Sequence, residues 1–199
     1  MQVQKEEIRD KILAAATNEF LHKGYSSASL RDIATAAGIT PGNIYRYYKN
    51  KYALYEVVTK PAWDGIYDLF EHNPWNGQYI ANQGLKDLAK KIVKVFLANQ
   101  KQFIILIKES AEVPGNNARK IIIKLIESHI YDNLNKEIPE KEIDKVLINI
   151  LAVAITEAMV CIFINFDNNE KLLYQRIYKI TSHMLNNCKE TFTEGEASC

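Results

Sequence analysis

Residues 29–51, SLRDIATAAGITPGNIYRYYKNK, hold the side chains of this chain that are best suited to contact an anionic partner. Within a few positions they bring together the Asn43 amide, the Arg46 guanidinium, three phenol hydroxyls and two ammonium groups. Groups of these types bind the phosphates and the base edges of nucleic acids. Gly42 has no side chain, so the backbone there can approach a partner closely. The alternative is a solvated helix whose aromatics serve packing, but burying three tyrosines would require a partner for every hydroxyl.

The first half of this segment has the signals of a short helix. Ser29 is a favourable N-cap, and Asp32 three positions later completes the pattern of a capping box. Apolar residues then recur at helical spacing, at Leu30, Ile33, Ala34 and Ala37. Gly38 is expected to end the helix in the left-handed conformation that glycine tolerates best.

A second helix is predicted directly after this turn. Thr40 can cap it, and Pro41 suits its first position, where the missing amide costs nothing. We expect this helix to extend from Pro41 to about Tyr48, with Ile44 and Tyr48 facing the core because they are four residues apart. Two helices joined by a short turn that contains glycine form a helix-turn-helix, whose second helix enters the major groove of DNA.

These residues resemble the DNA-binding domain of the tetracycline-repressor (TetR) family of bacterial transcription regulators. The resemblance covers about the first quarter of the chain, where apolar, glycine, aromatic and lysine positions agree at fixed spacing. It rests on three stretches, which are Ile8, Leu13, Ala15, Ala16, Phe20, Gly24 and Tyr25; Ser29, Arg31, Ile33, Ala34, Ala37, Gly38 and Ile39; and Gly42, Ile44, Tyr45, Tyr47, Tyr48, Lys49, Asn50, Lys51 and Leu54.

The resemblance implies an all-α fold, with an N-terminal three-helix helix-turn-helix domain followed by a helical domain for ligand binding and dimerisation. It places the DNA-binding domain at residues 1–50, with the helix-turn-helix at about 29–48, and the effector-binding and dimerisation domain at residues 51–199. The implied function is that of a ligand-responsive repressor, released from a palindromic operator by a small molecule. The implied partners are double-stranded DNA, a second copy of the chain and an effector of unknown identity, with no cofactor.

The same resemblance implies ten residues that contact DNA. They are Thr40, Pro41, Gly42 and Asn43 for base edges, Tyr45 and Arg46 for bases or phosphates, Tyr47 and Lys51 for phosphates, and Ser29 and Arg31 from the supporting helix. If Lys51 binds a phosphate, Lys51→Ala should weaken binding to every duplex. It should also lower the salt slope, which is the slope of log affinity against log salt concentration, by about one unit.

Arg46 stands where the family often has histidine or another aromatic, so an operator sequence cannot be carried over by analogy. Acidic residues are common in the family just after the lysine that matches Lys51, but Tyr52 follows it here, and Asn50 is expected to cap the next helix instead.

Composition sets broad bounds on the chain. It has 199 residues, 47% of them hydrophobic, which is enough for one large or two small domains with a sizeable core. The net charge of +1 implies no bulk attraction to nucleic acid. Residues 1–60 carry nine Lys or Arg against six Asp or Glu, whereas residues 61–199 carry sixteen against eighteen. The weak basic bias therefore lies with the helix-turn-helix.

The cysteines and histidines indicate neither a disulfide framework nor a metal site. Cys161, Cys188 and Cys199 are odd in number, and their spacing suits no zinc site. The four histidines are scattered and have no metal-ligand spacing. The first residues, MQVQKEEIRDK, contain no apolar signal segment. A reducing cytoplasm is therefore the simplest expected compartment.

The remaining residues are predicted to be helical, because no alternating pattern typical of a sheet occurs. Expected helices are residues 50–70, 84–98, 101–111, 117–136, 140–166 and 169–189. Residues 147–166 reach the length of a membrane span, but Glu157 would then lie near the bilayer centre at a large energetic cost. We therefore expect no membrane insertion and a helix that is buried, at a subunit interface.

The last two predicted helices, at about 140–166 and 169–189, are expected to need a partner. Two apolar faces run along the first of them, which is more than one small domain readily covers. One face is formed by Leu147, Leu151, Ala154, Ala158 and Ile162, and the other by Ile148, Ile155, Met159 and Phe163. The resemblance implies a two-fold dimer in which these helices form a four-helix bundle. Two recognition helices could then contact half-sites about 34–36 Å apart.

The resemblance also implies a pocket for a small molecule in the helical body. Candidate lining residues are Trp63, Tyr67, Phe70, Trp75, Tyr79, Phe96, Phe103, Ile107 and Phe163. Each of them equally fits an ordinary helical core. Glu109 and Glu157 have apolar neighbours and could hold a cationic ligand or an interface partner, or could lie at an edge with their carboxylates in water.

Two other classes of function stay open on the sequence alone. One is a helical protein-interaction module, and the other is an enzyme that uses a cavity in the C-terminal domain. No Gly-rich phosphate loop, nucleophile elbow or paired His/Glu metal motif occurs, so we expect no enzyme. A DNA-binding protein loses affinity log-linearly with salt and prefers one sequence, whereas an interaction module would not discriminate among duplexes.

Overall fold

The computed structural model describes residues 2–71, 82–108, 113, 117–136, 139 and 143–185, and this part of the chain contains nine α-helices and no β-strand. The prediction of an all-α fold is therefore confirmed. The helices are α1 (Gln2–Ser27), α2 (Leu30–Ala36), α3 (Pro41–Ile44), α4 (Lys51–Glu71), α5 (Asn82–Ala98), α6 (Gln100–Lys108), α7 (Ala118–Leu134), α8 (Lys145–Ile164) and α9 (Glu170–Leu185).

Packing divides the chain into two compact units, each discontinuous in sequence. The first unit comprises residues 1–65 and 98–118, and the second comprises residues 66–97 and 119–199. Residues 98–118, which include α6, thus pack with the amino-terminal helices. The boundary predicted after residue 50 separates a DNA-binding domain from an effector-binding and dimerisation domain, and it stays a prediction.

The first unit is built around one apolar core. In it, α1 packs against α2 and α6, and α2 packs against α3. Phe20 and Tyr25 both lie edge-on to Tyr55, with ring centroids 5.6 and 5.2 Å from it. Each large side chain buried in this way stabilises the unit by about 1.5–3 kcal/mol. The members of this core that are at most 1% exposed include Ile12, Ala16, Phe20, Ile33, Ala34, Ile44, Leu54, Tyr55 and Ile105.

The carboxyl-terminal end of α1 contains a kink at Gly24. This residue has φ 77° and ψ 167°, which is not helical. A side chain would be strained at this positive φ, so glycine is the residue that the turn favours. The kink separates the long part of α1 from its last residues, which lead to α2.

Two helix boundaries differ by more than two residues from the sequence predictions. The α-helical part of α3 ends at Ile44 and does not reach Tyr48. The predicted start of α8 at residue 140 is also wrong, because Asp144 is extended and caps the helix, accepting from the Val146 amide at 2.8 Å and the Leu147 amide at 3.1 Å. The predicted helix ends at residues 111 and 189 lie outside the described residues.

The second unit has its own apolar and aromatic contacts. In it, α8 packs against α9. Phe96 stacks on Phe163 with ring centroids 4.3 Å apart, and it meets Phe166 edge-on at 5.5 Å. A cluster of buried aliphatic side chains joins α5, α7, α8 and α9, and its members are Leu85, Leu88, Ile130, Leu134, Ile143, Ile148, Ile155 and Leu185.

Of the described helices, only α8 is long and apolar enough to cross a membrane. A third of its most apolar stretch is buried inside the chain. A single helix of this kind is weak support for a membrane protein, because core helices pass the same test of length and composition. Its Glu157 carboxylate accepts two bonds from Arg119 Nη1, at 2.9 and 2.8 Å.

Candidate nucleic-acid interface

The start of α2 is fixed by its predicted cap. Ser29 is extended, and its hydroxyl oxygen accepts from the amides of Arg31 at 3.2 Å and Asp32 at 3.5 Å. Asp32 was expected to complete the capping box, but its carboxylate instead accepts from Lys23 Nζ at 3.1 Å. Ser29 therefore orients α2, and its hydroxyl oxygen already serves as an acceptor inside the protein.

The turn between α2 and α3 depends on Gly38. This residue has φ 73°, as predicted, a backbone conformation that L side chains rarely adopt. Its amide donates to the Thr35 carbonyl at 3.1 Å, and the next amide, of Ile39, donates to the Ala34 carbonyl at 3.0 Å. These two bonds satisfy carbonyls at the end of α2 and reverse the chain within a few residues.

The second helix of the motif, α3, is a single tight turn. Thr40 is extended and precedes Pro41 at the first helical position, as predicted, but the Thr40 side chain makes no capping bond. The chain then tightens, because the Arg46 and Tyr47 amides donate three residues back at 3.2 and 3.0 Å. Bonds of this spacing are typical of the 3₁₀ turns that end many helices.

Burial alternates sharply along α3 and the turn that follows it. Ile44 is fully buried and Tyr48 is 4% exposed, which confirms that both face the core. Tyr45 is 59% exposed, Arg46 is exposed, and Tyr47 is half-buried. The three neighbouring tyrosines thus have three different environments, and one of them is core filling.

The exposed side of α3 is polar and sterically open. Arg46 Nη1 donates to the Asn43 amide oxygen at 3.4 Å, so these two side chains form one hydrogen-bonded pair at the surface. A Cβ added at Gly42 would meet nothing within 4 Å. The backbone there is accessible, as expected for a helix that approaches a partner closely. Arg31 of α2 is exposed as well.

Lys51 has a different environment from the one predicted. Its ammonium group donates to the carbonyls of Tyr25 at 2.6 Å, Ala28 at 3.0 Å and Ser26 at 3.1 Å. It also lies 4.6 Å from the centroid of the Tyr25 ring, a cation–π contact. An ammonium group has three protons, and here each has a protein acceptor. A phosphate contact would require Lys51 to give up one of these bonds, so we revise its expected role to a structural one.

A cationic cleft beside α3 was missed by the sequence reasoning. It measures about 400 Å³, and its lining comes from α1 and from the turn after α3, namely Lys5, Glu6, Arg9, Arg46 and Tyr47. Lys5 and Arg9 are four residues apart, so they lie on the same face of α1. That spacing was the available signal, but nothing in the sequence indicated that this face lies next to Arg46.

The predicted effector-binding residues are found in both units. Trp63, Phe103 and Ile107 belong to the first unit, and the last two are buried in it. Tyr67, Phe70, Phe96 and Phe163 belong to the second unit, where Phe96 and Phe163 stack on each other. Phe70 meets the His129 ring edge-on at 5.7 Å. Glu109, Trp75 and Tyr79 lie outside the described residues.

Glu157 and His129 of the second unit both have charged side chains close to them. Glu157 is exposed and paired with Arg119, which places its carboxylate at a solvated edge. Burial lowers the pKa of His129, and the nearby Asp132 carboxylate opposes this shift. Among the described residues, no group of three or more His, Cys, Asp or Glu could hold a metal ion.

The geometry defines the class of the first unit. Two short helices around a glycine turn, seated on a third helix and leaving a polar surface on the second, form a helix-turn-helix domain. Residues 12–58 match the family model for bacterial regulatory proteins of the tetR family. This part of the chain is therefore similar to the DNA-binding domain of the tetR family of bacterial regulatory proteins.

Relatives of known function match the amino-terminal part of the chain. The HTH-type transcriptional repressor KstR2 of Mycolicibacterium smegmatis is 32% identical over 63 residues, which cover 32% of this chain and 31% of that protein. The HTH-type transcriptional regulator AcrR of Shigella flexneri is 38% identical over 66 residues, covering 33% and 31%. The match therefore spans about a third of the length of these curated relatives.

A solved structure matches nearly the whole chain. It is that of MexZ, described as a key repressor responsible for antibiotic resistance in Pseudomonas aeruginosa. The TM-score is 0.66 at 20% identity, and the match covers 96% of this chain and 100% of MexZ. At this identity the likeness concerns the fold alone, and it covers the helices after the amino-terminal domain as well.

Proposed function

We propose that this chain is a transcription repressor that binds a palindromic operator as a homodimer and is released from it by a small molecule. The observation that carries the proposal is the pattern of burial at α3. Ile44 and Tyr48 anchor the element in the core, while Tyr45 and Arg46 between them are exposed. A rigidly seated element with exposed polar groups suits contact with a groove of fixed shape.

The residues around α3 divide by the kind of DNA contact that they can make. Residues 40–43 would bring the amino-terminal end of α3 to base edges, where the Asn43 amide can pair with adenine. Tyr45 and Arg46 would contact bases or phosphates, and Tyr47 would contact a phosphate. Arg31, exposed on α2, is suited to the backbone of the same groove, because an arginine fork pairs with phosphate oxygens.

Ser29 and Lys51 have supporting roles in this proposal. The Ser29 hydroxyl caps α2, and the Lys51 ammonium holds three carbonyls between α1 and α2. Both residues would act on DNA affinity by positioning the exposed side chains. Neither is then expected to change the number of phosphates that the protein neutralises.

An exposed apolar face on α8 supports the homodimer. Val146 and Ile150 are 68% and 56% exposed, and Val153 and Ile164 continue the same side of the helix at helical spacing. In contrast, Ile148 belongs to the core of its own chain. Apolar patches of this kind on soluble proteins mark interaction surfaces. A second copy of α8 and α9 would cover this face and would place two copies of α3 on a palindromic site.

Release by an effector requires a difference in affinity between two states. The small molecule must bind more tightly to the conformer whose two helix-turn-helix domains are wrongly spaced for the operator, since equal affinity would shift nothing. Tyr67, Phe70, Phe96 and Phe163 of the second unit remain the proposed lining residues. The cytoplasm is the proposed compartment, because operator DNA is there.

A binding experiment tests this function against the alternatives. Full-length protein is titrated into a fluorescent duplex that it has selected from a randomised pool, and into a scrambled duplex of equal length, over a series of salt concentrations. We expect tighter binding to the selected duplex and a linear fall of log affinity with log salt concentration. Equal affinity for both duplexes would reject sequence-specific binding and would favour a protein-interaction module.

A further inference from the structure

The cleft beside α3 has an excess of positive charge that no described contact neutralises. Its lining contains the cations Lys5, Arg9 and Arg46 and a single carboxylate, Glu6. All four of these side chains are exposed. Among the described residues, no salt bridge involves Lys5, Arg9 or Glu6. The cleft is therefore a local concentration of positive charge that is free to meet an anion.

The cleft shares its wall with the surface proposed to contact bases. Arg46 lines the cleft and also donates to the side-chain oxygen of Asn43 at 3.4 Å. Tyr47 is half-buried, and its backbone amide donates to the Ile44 carbonyl at 3.0 Å, which ties it to α3. An anion in this cleft would thus lie directly beside the groups that α3 presents. Lys5 and Arg9 extend the charged surface along one turn of α1.

We propose that this cleft binds phosphates of the DNA strand that borders the groove occupied by α3, with Lys5 and Arg9 of α1 as its ligands. The inference rests on the proposed function. A strand of DNA presents one phosphate for every 3.4 Å of helix axis, so a row of cations along the cleft can meet successive phosphates. Exposed single cations bind a small anion weakly, but on DNA each contact also releases condensed counterions.

Glu6 provides a test in which the proposal predicts tighter, not weaker, binding to DNA. Its carboxylate lies in the same cleft as the three cations and would repel a phosphate there. Glu6→Gln removes that repulsion without changing the size of the side chain, so it should tighten binding. Glu7 is the matched control, because it is also exposed on α1 but does not line the cleft. Glu7→Gln should have the smaller effect.

The decisive experiment measures the salt dependence of DNA binding for full-length variants. Lys5→Ala, Arg9→Ala and the double variant are compared with the wild type on the selected and the scrambled duplex. Lys11→Ala is the control, since Lys11 is an exposed α1 cation that lines a different cleft. Thermal denaturation confirms that each variant is folded, which is expected because the substituted side chains are at the surface.

We expect each cleft substitution to reduce the salt slope by about 0.9 for each subunit of the proposed homodimer, and the double substitution by about twice that amount. The loss should be equal on both duplexes, because phosphate contacts carry no sequence information. The Lys5 and Arg9 variants could instead show the same salt slope as Lys11→Ala, while the wild type still prefers its selected duplex. That result would overturn the proposal that the cleft binds phosphates, and it would leave the proposed function intact. Absence of wild-type binding to every duplex would overturn both.

Discussion

Replacing Lys51 distinguishes the role that its hydrogen bonds indicate from the role that its sequence position predicts. Its ammonium group joins the beginning of α4 to the carbonyls of Tyr25, Ser26 and Ala28, which lie between the α1 kink and α2. Lys51→Met keeps most of the aliphatic stem and removes the three donors. The substitution therefore isolates the hydrogen bonds from the packing of the side chain.

The expected loss follows from these three bonds. A hydrogen bond to a charged group contributes about 1.5–3 kcal/mol. Lys51 is half-buried, so water can satisfy some of the carbonyls in the variant. We therefore expect a net loss of about 2–4 kcal/mol, well below the sum of the separate bonds. For an unfolding slope of about 2 kcal/mol per molar urea, the midpoint should fall by about 1–2 M.

Two measurements are needed, because a phosphate ligand and a structural residue both affect DNA binding. Urea denaturation followed by circular dichroism reports the stability, and the salt slope of DNA binding reports the number of phosphates contacted. We expect a lower urea midpoint and an unchanged slope. Lys49→Met is the matched control, since Lys49 is an exposed lysine two residues away, and it should leave the midpoint unchanged.

The opposite pattern would refute the reasoning on Lys51. If Lys51→Met unfolds at the urea concentration of the wild type while its salt slope falls by about one unit for each subunit, the ammonium group binds a phosphate in the complex. The three carbonyl contacts would then be a property of the free protein with little energetic weight.

Three further predictions concern single side chains. The Tyr48 hydroxyl is buried without a hydrogen-bond partner among the described residues, so Tyr48→Phe should leave the unfolding free energy unchanged or raise it by up to about 1 kcal/mol, and a loss above that size in urea denaturation would contradict this. Ile150→Asp on the exposed face of α8 should convert the dimer into a folded monomer in analytical ultracentrifugation; a variant that stays dimeric would remove this face from the interface. Since burial lowers the pKa of His129, the unfolded chain binds its proton at higher pH than the folded chain, so lowering the pH from about 7.5 to about 5 should destabilise the wild type more than His129→Gln; equal pH dependence would contradict this.

Local rules predicted the helix-turn-helix well, because its signals act over three or four residues. The Ser29 cap, the positive φ of Gly38, the place of Pro41 and the burial of Ile44 all follow from neighbours in sequence. The Asn50 cap was predicted in the same way, and the Asn50 side chain accepts from the Ala53 amide at 2.8 Å. The length of α3 was overestimated because a periodic pattern does not distinguish an α-helix from the tighter turn that ends it.

Contacts between distant segments could not be predicted in this way. Lys51 bonds to carbonyls 23 to 26 residues earlier in the chain, and no local pattern encodes that pairing. Ile105 of α6 lies in the core of the amino-terminal unit, although its sequence surroundings suggest only a buried helix. The proximity of Arg9 to Arg46 has the same origin. Tertiary packing decides these contacts, and it also separates the predicted effector-binding residues into two units.

The central claim is that the exposed groups on and after α3 select the DNA sequence. The most direct measurement is a parallel selection from one randomised duplex pool at low salt, with the wild type, Asn43→Ala and Arg46→Ala. We predict an inverted repeat for the wild type, with half-sites one helical turn apart, and a changed preference at a few positions of each half-site for the variants. Three identical consensus sequences, or none, would contradict the account.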